Sequence, residues 1–187
     1  MVNLIKDIDE LNKIDIESGG IIPFSFSGGE LYFLFGRETK ELKGDDRALW
    51  GDFGGNIKKE KENNLEGLIR EFWEGTNGIF GTVEGTKKYL KENFNKLLVL
   101  YSSEYKGVIL FLPIEYDKKF ERIFYTTTIL YKHILDKKNE IHKARQRGLL
   151  EKDMIQWFTL NDILKQKKRF RKRNHELINA MSEIFSC

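Results

Sequence analysis

The stretch from Gly54 to Gly78, GGNIKKEKENNLEGLIREFWEGTNG, constrains this chain more than any other. Paired glycines open it, a loop of mixed charge follows, and the rest has the spacing of an amphipathic helix. Leu65, Leu68, Ile69, Phe72 and Trp73 recur at helical intervals and cover one side. Residues three apart on a helix lie about 60° apart around its axis, which puts Glu71 and Glu74 on a common face. Arg70 is four residues from Glu66 and four from Glu74, the separation at which helical side chains pair. Such a helix points several carboxylates at one spot and sets an arginine among them.

The stretch resembles the Nudix box, the signature of hydrolases that split a diphosphate linked to another group. That pattern runs Gly, five residues, Glu, seven residues, Arg-Glu, an apolar residue, any residue, Glu-Glu, any residue, Gly, apolar. Here Arg70-Glu71-Phe72 matches Arg-Glu-apolar, and Glu74 matches the first of the paired glutamates. Glu62, eight residues before Arg70, stands where the first Glu belongs. Asp52-Phe53-Gly54-Gly55 looks like the strand-to-loop entry common in the family. Three positions depart from the pattern. The box glycine falls at Asn56, with Gly55 one place early; the closing glycine falls at Asn77, with Gly78-Ile79 one place late; and the second paired glutamate, usually a metal ligand in the family, is Gly75.

The resemblance implies an α/β fold, one Nudix-like α/β/α sandwich over residues 1–187 with a mixed sheet. It also implies metal-dependent hydrolysis of a nucleoside diphosphate-linked substrate. Breaking a phosphoanhydride needs charge neutralisation, a positioned water and a stabilised leaving group. Mg²⁺ or Mn²⁺ serves the first two and takes oxygen ligands. On this reading Glu71 and Glu74 are the core ligands, or the base that orients water. Glu151, six residues before Trp157, is a further ligand or base, with Glu104 and Glu115 as rivals. Glu62 supports the site from the box loop, Gly55 lends its carbonyl to the metal, and Arg70 holds the glutamates. Within the family the chain resembles the decapping-type proteins of large DNA viruses, which act on capped RNA. Free nucleotides, ADP-ribose and diphosphoinositol polyphosphates remain open as substrates. The competing class is a catalytically weakened Nudix fold that still binds RNA or a nucleotide, with Gly75 as the reason.

Charge is divided unevenly along the chain. Residues 1–131 hold 18 basic and 22 acidic side chains, and residues 132–187 hold 14 and 7. The acidic part contains the box and suits divalent cations; the basic part suits a polyanion. No apolar run approaches the roughly 20 residues that span a bilayer. The one cysteine, Cys187, excludes an internal disulfide framework and fits a reducing, cytoplasmic setting. His133, His142 and His175 lack the mutual spacing of a zinc site.

At 187 residues the chain reads as one domain. Residues 1–18 form an arm or short amphipathic helix, which Gly19-Gly20 ends. Ile21–Phe26 and Glu30–Phe35 are strands of a hairpin turning at Ser27-Gly28-Gly29. Arg37, Lys40, Lys43 and Arg47 follow and could meet phosphates. Leu49–Phe53 is a strand that leads into the box (54–78). Thr86–Phe94 is helical, with Thr82 or Thr86 as cap. Leu97–Ser102 and Val108–Ile114 are buried strands, with Pro113 at the end of the second. Residues 117–149 form a helical insertion, a lid or a helix on the sheet edge, which the β-branched run Thr126–Ile129 would interrupt. Glu151–Phe158 is a strand, and Thr159 or Asn161 caps the next helix. Residues 165–187 read as a basic, then amphipathic, C-terminal helix whose Lys165–Arg173 run would contact RNA, with Phe170 stacking on a base.

Overall fold

A computed structural model describes residues 2–40 and 48–185. Lys43, Arg47 and Cys187 therefore lie outside the described residues. The chain builds one mixed sheet with helices on both faces, an α/β/α sandwich. Adjacent residues along each strand point to opposite sides, and two separate cores record this. Ile21, Leu34, Val99, Leu110 and Trp157 enter one core; their chain neighbours Ile22, Phe33, Phe35, Leu100, Phe111 and Phe158 enter the other.

The sheet is organised around β2 (Ser18–Ser27). It runs parallel to β7 (Gly107–Pro113) on one side and antiparallel to β3 (Glu30–Glu38) on the other. The β2–β3 turn is Gly28-Gly29, both with positive φ, as a tight hairpin requires. Away from the turn the two strands splay apart. The gap is filled by β4 (Trp50–Gly51), which pairs with β3, and β5 (Phe53–Asn56), which pairs with β2. Outside β7 lies β6 (Leu98–Ser102), and β8 (Lys152–Thr159) pairs with β3. Gly19-Gly20 does not break the chain but lies within β2. A Cβ at Gly20 would overlap the Asp52 carboxylate, and one at Gly19 would overlap Leu68, so these glycines admit close packing.

The N-terminal segment differs from the expected arm or helix. β1 (Val2–Leu4) pairs with β6 at the sheet edge, and only then does α1 (Ile8–Lys13) form. Backbone pairing with an open edge outweighs the weak propensity of so short a helix.

α2 (Asn64–Gly75) carries the helical part of the stretch that resembles the box. Asn63 caps it by accepting from the Glu66 N–H, and the Glu66 side chain accepts from the Asn63 N–H in return. Its apolar side packs on β5 and β2, with Phe72 between Phe53 and Phe80 at ring separations of 5.9 and 5.6 Å. Phe72→Ala would cost about 3–5 kcal/mol, the range for emptying a core aromatic site. α3 (Val83–Asn93) follows, capped by Thr82.

α4 (Lys119–Lys137) and α5 (Ile141–Gln146) occupy the segment read as a helical insertion. Thr126–Ile129 does not interrupt α4. Thr128 is buried and accepts a hydrogen bond from the Asn77 amide, so tertiary contact overrides local propensity. α4 packs on β8, where the Trp157 indole N–H donates to the Asp117 carbonyl.

The C-terminal segment corrects another expectation. α6 (Leu160–Lys165), capped by Thr159, and α7 (Asn174–Phe185) cover the second face of the sheet. Between them Lys165–Arg173 is not one helix: Lys167–Arg169 make a single 3₁₀ turn and Phe170 is extended. Phe170 is only 1% exposed and packs on Phe35 and Phe158, so it cannot stack on a base. Among the described residues no helix is long and apolar enough to cross a membrane.

Candidate functional site

One open cleft of about 460 Å³ lies where β5, α2, the end of α5, the start of β8 and the segment before α7 meet. Glu71, Glu74, Glu151 and Glu38 line it together with Lys58, Arg70, Arg147, Arg171 and Arg173. The polar, half-buried side of α2 delivers Arg70, Glu71 and Glu74 to one wall.

Arg70 is the hub of that wall. Its Nε and Nη2 grip both oxygens of Glu62, at 2.8 and 2.6 Å. Nη1 donates to Glu71 at 2.6 Å and to Glu74 at 3.1 Å, and Nη2 also donates to the Asn56 carbonyl at 3.0 Å. One guanidinium thus ties three carboxylates and the box loop together. The paired bonds to Arg70 hold the Glu62 carboxyl below its usual range.

Glu74 and Glu151 are displaced the other way. Burial pushes the Glu74 carboxyl up, against the pull of Arg70 and with the repulsion of Glu71. Burial also pushes Glu151 up, and the negative charges of Glu38, Glu71 and Glu74 add to this while Lys152 opposes it. Two backbone approaches shape the site. A Cβ on Gly55 would overlap the Glu71 carboxylate, and a Cβ on Gly148 would overlap that of Glu74.

Glu104 is exposed on the β6–β7 turn and Glu115 is exposed after β7; neither lines the cleft. Glu151 does, directly before β8, where its carbonyl accepts from the Thr39 N–H. Glu62 braces Arg70 from the loop without lining the cleft itself. Gly75 is buried in the last turn of α2, and a Cβ there would lie 3.4 Å from the Phe53 ring. The position faces core, so a longer side chain must pass Phe53 before it reaches the cleft.

Several contributors escape the sequence reading. Glu38 is buried beneath the cleft, held by Lys152 and by Arg171 at 2.7 Å. The register of β3 with β8 shifts between Arg37 and Glu38, which sets Glu38 opposite Lys152. Asp52, between β4 and β5, accepts from the Asn174 amide at 3.0 Å and from Arg173 at 3.4 Å. Burial alone would raise the Asp52 carboxyl, but Arg173, Arg171, Lys152 and the Asn174 bond outweigh it and hold it at about 2. Asn77 donates to Thr128 at 3.0 Å and accepts from the Leu150 N–H at 3.4 Å, joining the box to α4 and to the residue before Glu151. The visible sequence signal for Asn77 is its place at the family's closing glycine, and it adopts a positive φ of 52°. Arg171 is signalled by alternation in Arg169-Phe170-Arg171, an extended-strand rhythm.

The donor set is chemically that of a hard cation: the carboxylate oxygens of Glu71, Glu74 and Glu151. Among the described residues no three His, Cys, Asp or Glu side chains are arranged to hold a metal ion by themselves. Glu71 nevertheless adds to the burial that raises the Glu74 and Glu151 carboxyls, a repulsion that a bound cation relieves.

No family model matches the chain. Among curated proteins it is 28% identical over 191 residues to uncharacterized protein L534 of Acanthamoeba polyphaga mimivirus. The alignment takes in 84% of this chain and spans 61% of that protein's length. Solved structures similar to it include the NUDIX domain of Shewanella oneidensis NrtR complexed with ADP ribose, at 13% identity and a TM-score of 0.47 over 92% of this chain and 90% of that one. A C. elegans Ap4A hydrolase binary complex gives 14% and 0.46 over 91% and 98%, and the M. Smegmatis Nudix hydrolase RenU gives 9% and 0.48 over 92% and 87%.

Proposed function

We propose that this chain is a Nudix-type pyrophosphohydrolase acting on a nucleoside diphosphate-linked substrate with Mg²⁺ or Mn²⁺. The observation that carries the reading is the Arg70 hub: one guanidinium joined to Glu62, Glu71 and Glu74 on the wall of a cleft that Glu151 also lines. That Arg70 joins the box residues matched in the sequence supports roles for them in a single site.

When bound, the cation neutralises phosphate charge and makes an attached water more acidic. Glu71 and Glu74 would hold it through the carboxylate oxygens, with Glu151 and the Gly55 carbonyl beside them. Arg70 does not need to touch substrate; it fixes the directions in which Glu71 and Glu74 point. Glu151 also lines the cleft, where its side-chain oxygen would accept the proton of an attacking water. Lys58, Arg147, Arg171 and Arg173 set positive charge around the substrate phosphates.

Among possible substrates we place a capped RNA end first. The basic run supports this: Lys165, Lys168, Arg169 and Lys172 face solvent, while Arg171 and Arg173 enter the cleft. An RNA chain leaving the cleft would find charge along that segment.

The test is hydrolysis of capped RNA, nucleoside triphosphates, ADP-ribose and a diphosphoinositol polyphosphate in Mn²⁺ and in Mg²⁺. Metal-dependent turnover is expected, falling roughly 10²–10⁴-fold in Glu71→Gln. A folded protein that binds these compounds and turns none over would be a nucleotide- or RNA-binding module, with Gly75 in place of a ligand as the cause.

A further inference from the structure

We propose that Arg173 is a phosphate-binding residue of the cleft, taking the substrate phosphate that lies farther from Glu71 and Glu74. This rests on the diphosphate reading above. It assigns part of the substrate site to the segment between α6 and α7, remote in sequence from the box.

The segment is built into the cleft rather than draped over it. Phe170 bridges to Trp50 in the manner of a parallel strand, and the Arg171 N–H donates to the Trp50 carbonyl at 2.9 Å. A Cβ on Gly51 would lie 2.5 Å from Cδ of Arg171, so β4 is bare where the Arg171 stem crosses it. Arg171 is then fixed by Glu38 beneath. These contacts set the backbone from which Arg173 projects.

Arg173 is held far more loosely than Arg70. Among the described residues its guanidinium makes two contacts, both through Nη2: to Asp52 at 3.4 Å and to the Gly54 carbonyl at 3.3 Å. Both lie at the outer limit of hydrogen bonding. Asp52 does not depend on it alone, because the Asn174 amide reaches the same carboxylate oxygen at 3.0 Å. A guanidinium carries five donors in a planar fork that fits two oxygens of one phosphate. Most of that capacity is unused at Arg173, and the side chain lines the cleft while 30% exposed. The same cleft holds carboxylates suited to one metal-bound phosphate, and Arg173 supplies the complementary cation for the next.

Binding can be read without catalysis. Inorganic pyrophosphate is titrated calorimetrically into the full chain with Mg²⁺ present, using wild type, Arg173→Gln and Arg173→Lys. Arg173→Gln should weaken binding about tenfold, the loss of one charge-assisted contact. Arg173→Lys keeps a cation beside Asp52 and preserves the fold; without the fork it should bind about threefold more weakly than wild type. Thermal melts identify any variant that fails to fold, and Arg173→Lys then carries the test. Wild-type affinity in a folded variant overturns the role of Arg173 and leaves the hydrolase reading standing. No pyrophosphate binding by wild type, with no turnover of any substrate, overturns both. On a turned-over substrate, Arg173→Gln should raise KM by a similar factor with less change in kcat.

Discussion

Arg70 and Arg173 line the same cleft, yet the segments that deliver them are specified in different ways. Arg70 sits on a regular helix, and its partners Glu62, Glu71 and Glu74 lie within eight residues of it. Local geometry brings Glu71 and Glu74 to Arg70 once α2 forms, and the adjoining loop adds Glu62. Arg173 sits in an irregular segment whose partners, Asp52 and Gly54, are about 120 positions away in the chain. Its place depends on Phe170 entering the second core and on the bridge to Trp50. A box of fixed spacing can therefore be recognised in a sequence, whereas a tertiary contribution to the same cleft leaves only a faint trace.

The contrast can be broken first at its strongest point. Arg70→Met removes the guanidinium and leaves Glu62, Glu71 and Glu74 facing one another. Arg70 is 20% exposed at its side chain, so the loss should fall below that of a fully buried pair, at about 2–3 kcal/mol. Urea unfolding at neutral pH would measure it. A loss under about 0.5 kcal/mol would mean that solvent already screens the hub.

The tether to the C-terminal segment is tested by acid. Asp52 is held near 2 in the fold against an ordinary 3.8. A depressed carboxyl contributes stability that is full above its unfolded value and is lost as pH falls through the folded one. Stability should therefore decline between about pH 4 and pH 2, and this group accounts for about 2 kcal/mol of it. Asp52→Asn should flatten that part of the pH profile. An unchanged slope would show that the Arg173–Asn174 side does not hold Asp52 ionised.

How far the sequence could be read follows the same division. The hairpin turning at Gly28-Gly29, the strands that became β6 and β7, the caps Thr82 and Thr159, and the box helix were legible because each depends on neighbours in the chain. Arg70, read as holding the glutamates, bonds to Glu62, Glu71 and Glu74. The readings that changed were decided at a distance. Val2–Leu4 became an edge strand because β6 offers free backbone groups, and α4 ran through its threonines because Asn77 and the sheet surround Thr128. Lys165–Arg173 looked helical by composition, but burying Phe170 against Phe35 and Phe158 stabilises the extended turn instead. Glu38 and Lys152 were invisible as a pair because only strand register sets them side by side.

The smallest effect concerns the residue on which the two functional classes divide. Gly75 lies in the last turn of α2, where a glycine costs roughly 1 kcal/mol relative to alanine. Its φ is not positive, and a methyl group there would meet Phe53 at 3.4–3.7 Å, close to ordinary contact. Gly75→Ala should therefore stabilise the protein by about 0.5–1 kcal/mol and leave turnover unchanged. Gly55→Ala gives the opposite pattern. Its methyl group displaces the Glu71 carboxylate from Arg70, so activity should fall, with a smaller loss of stability than in Arg70→Met. If Gly75→Ala destabilised the fold, the helix end would be packed more tightly against β5 than these distances allow. If it lowered turnover instead, the last turn of α2 would need to move during the reaction, and the glycine would be there for that motion rather than as the trace of a lost ligand.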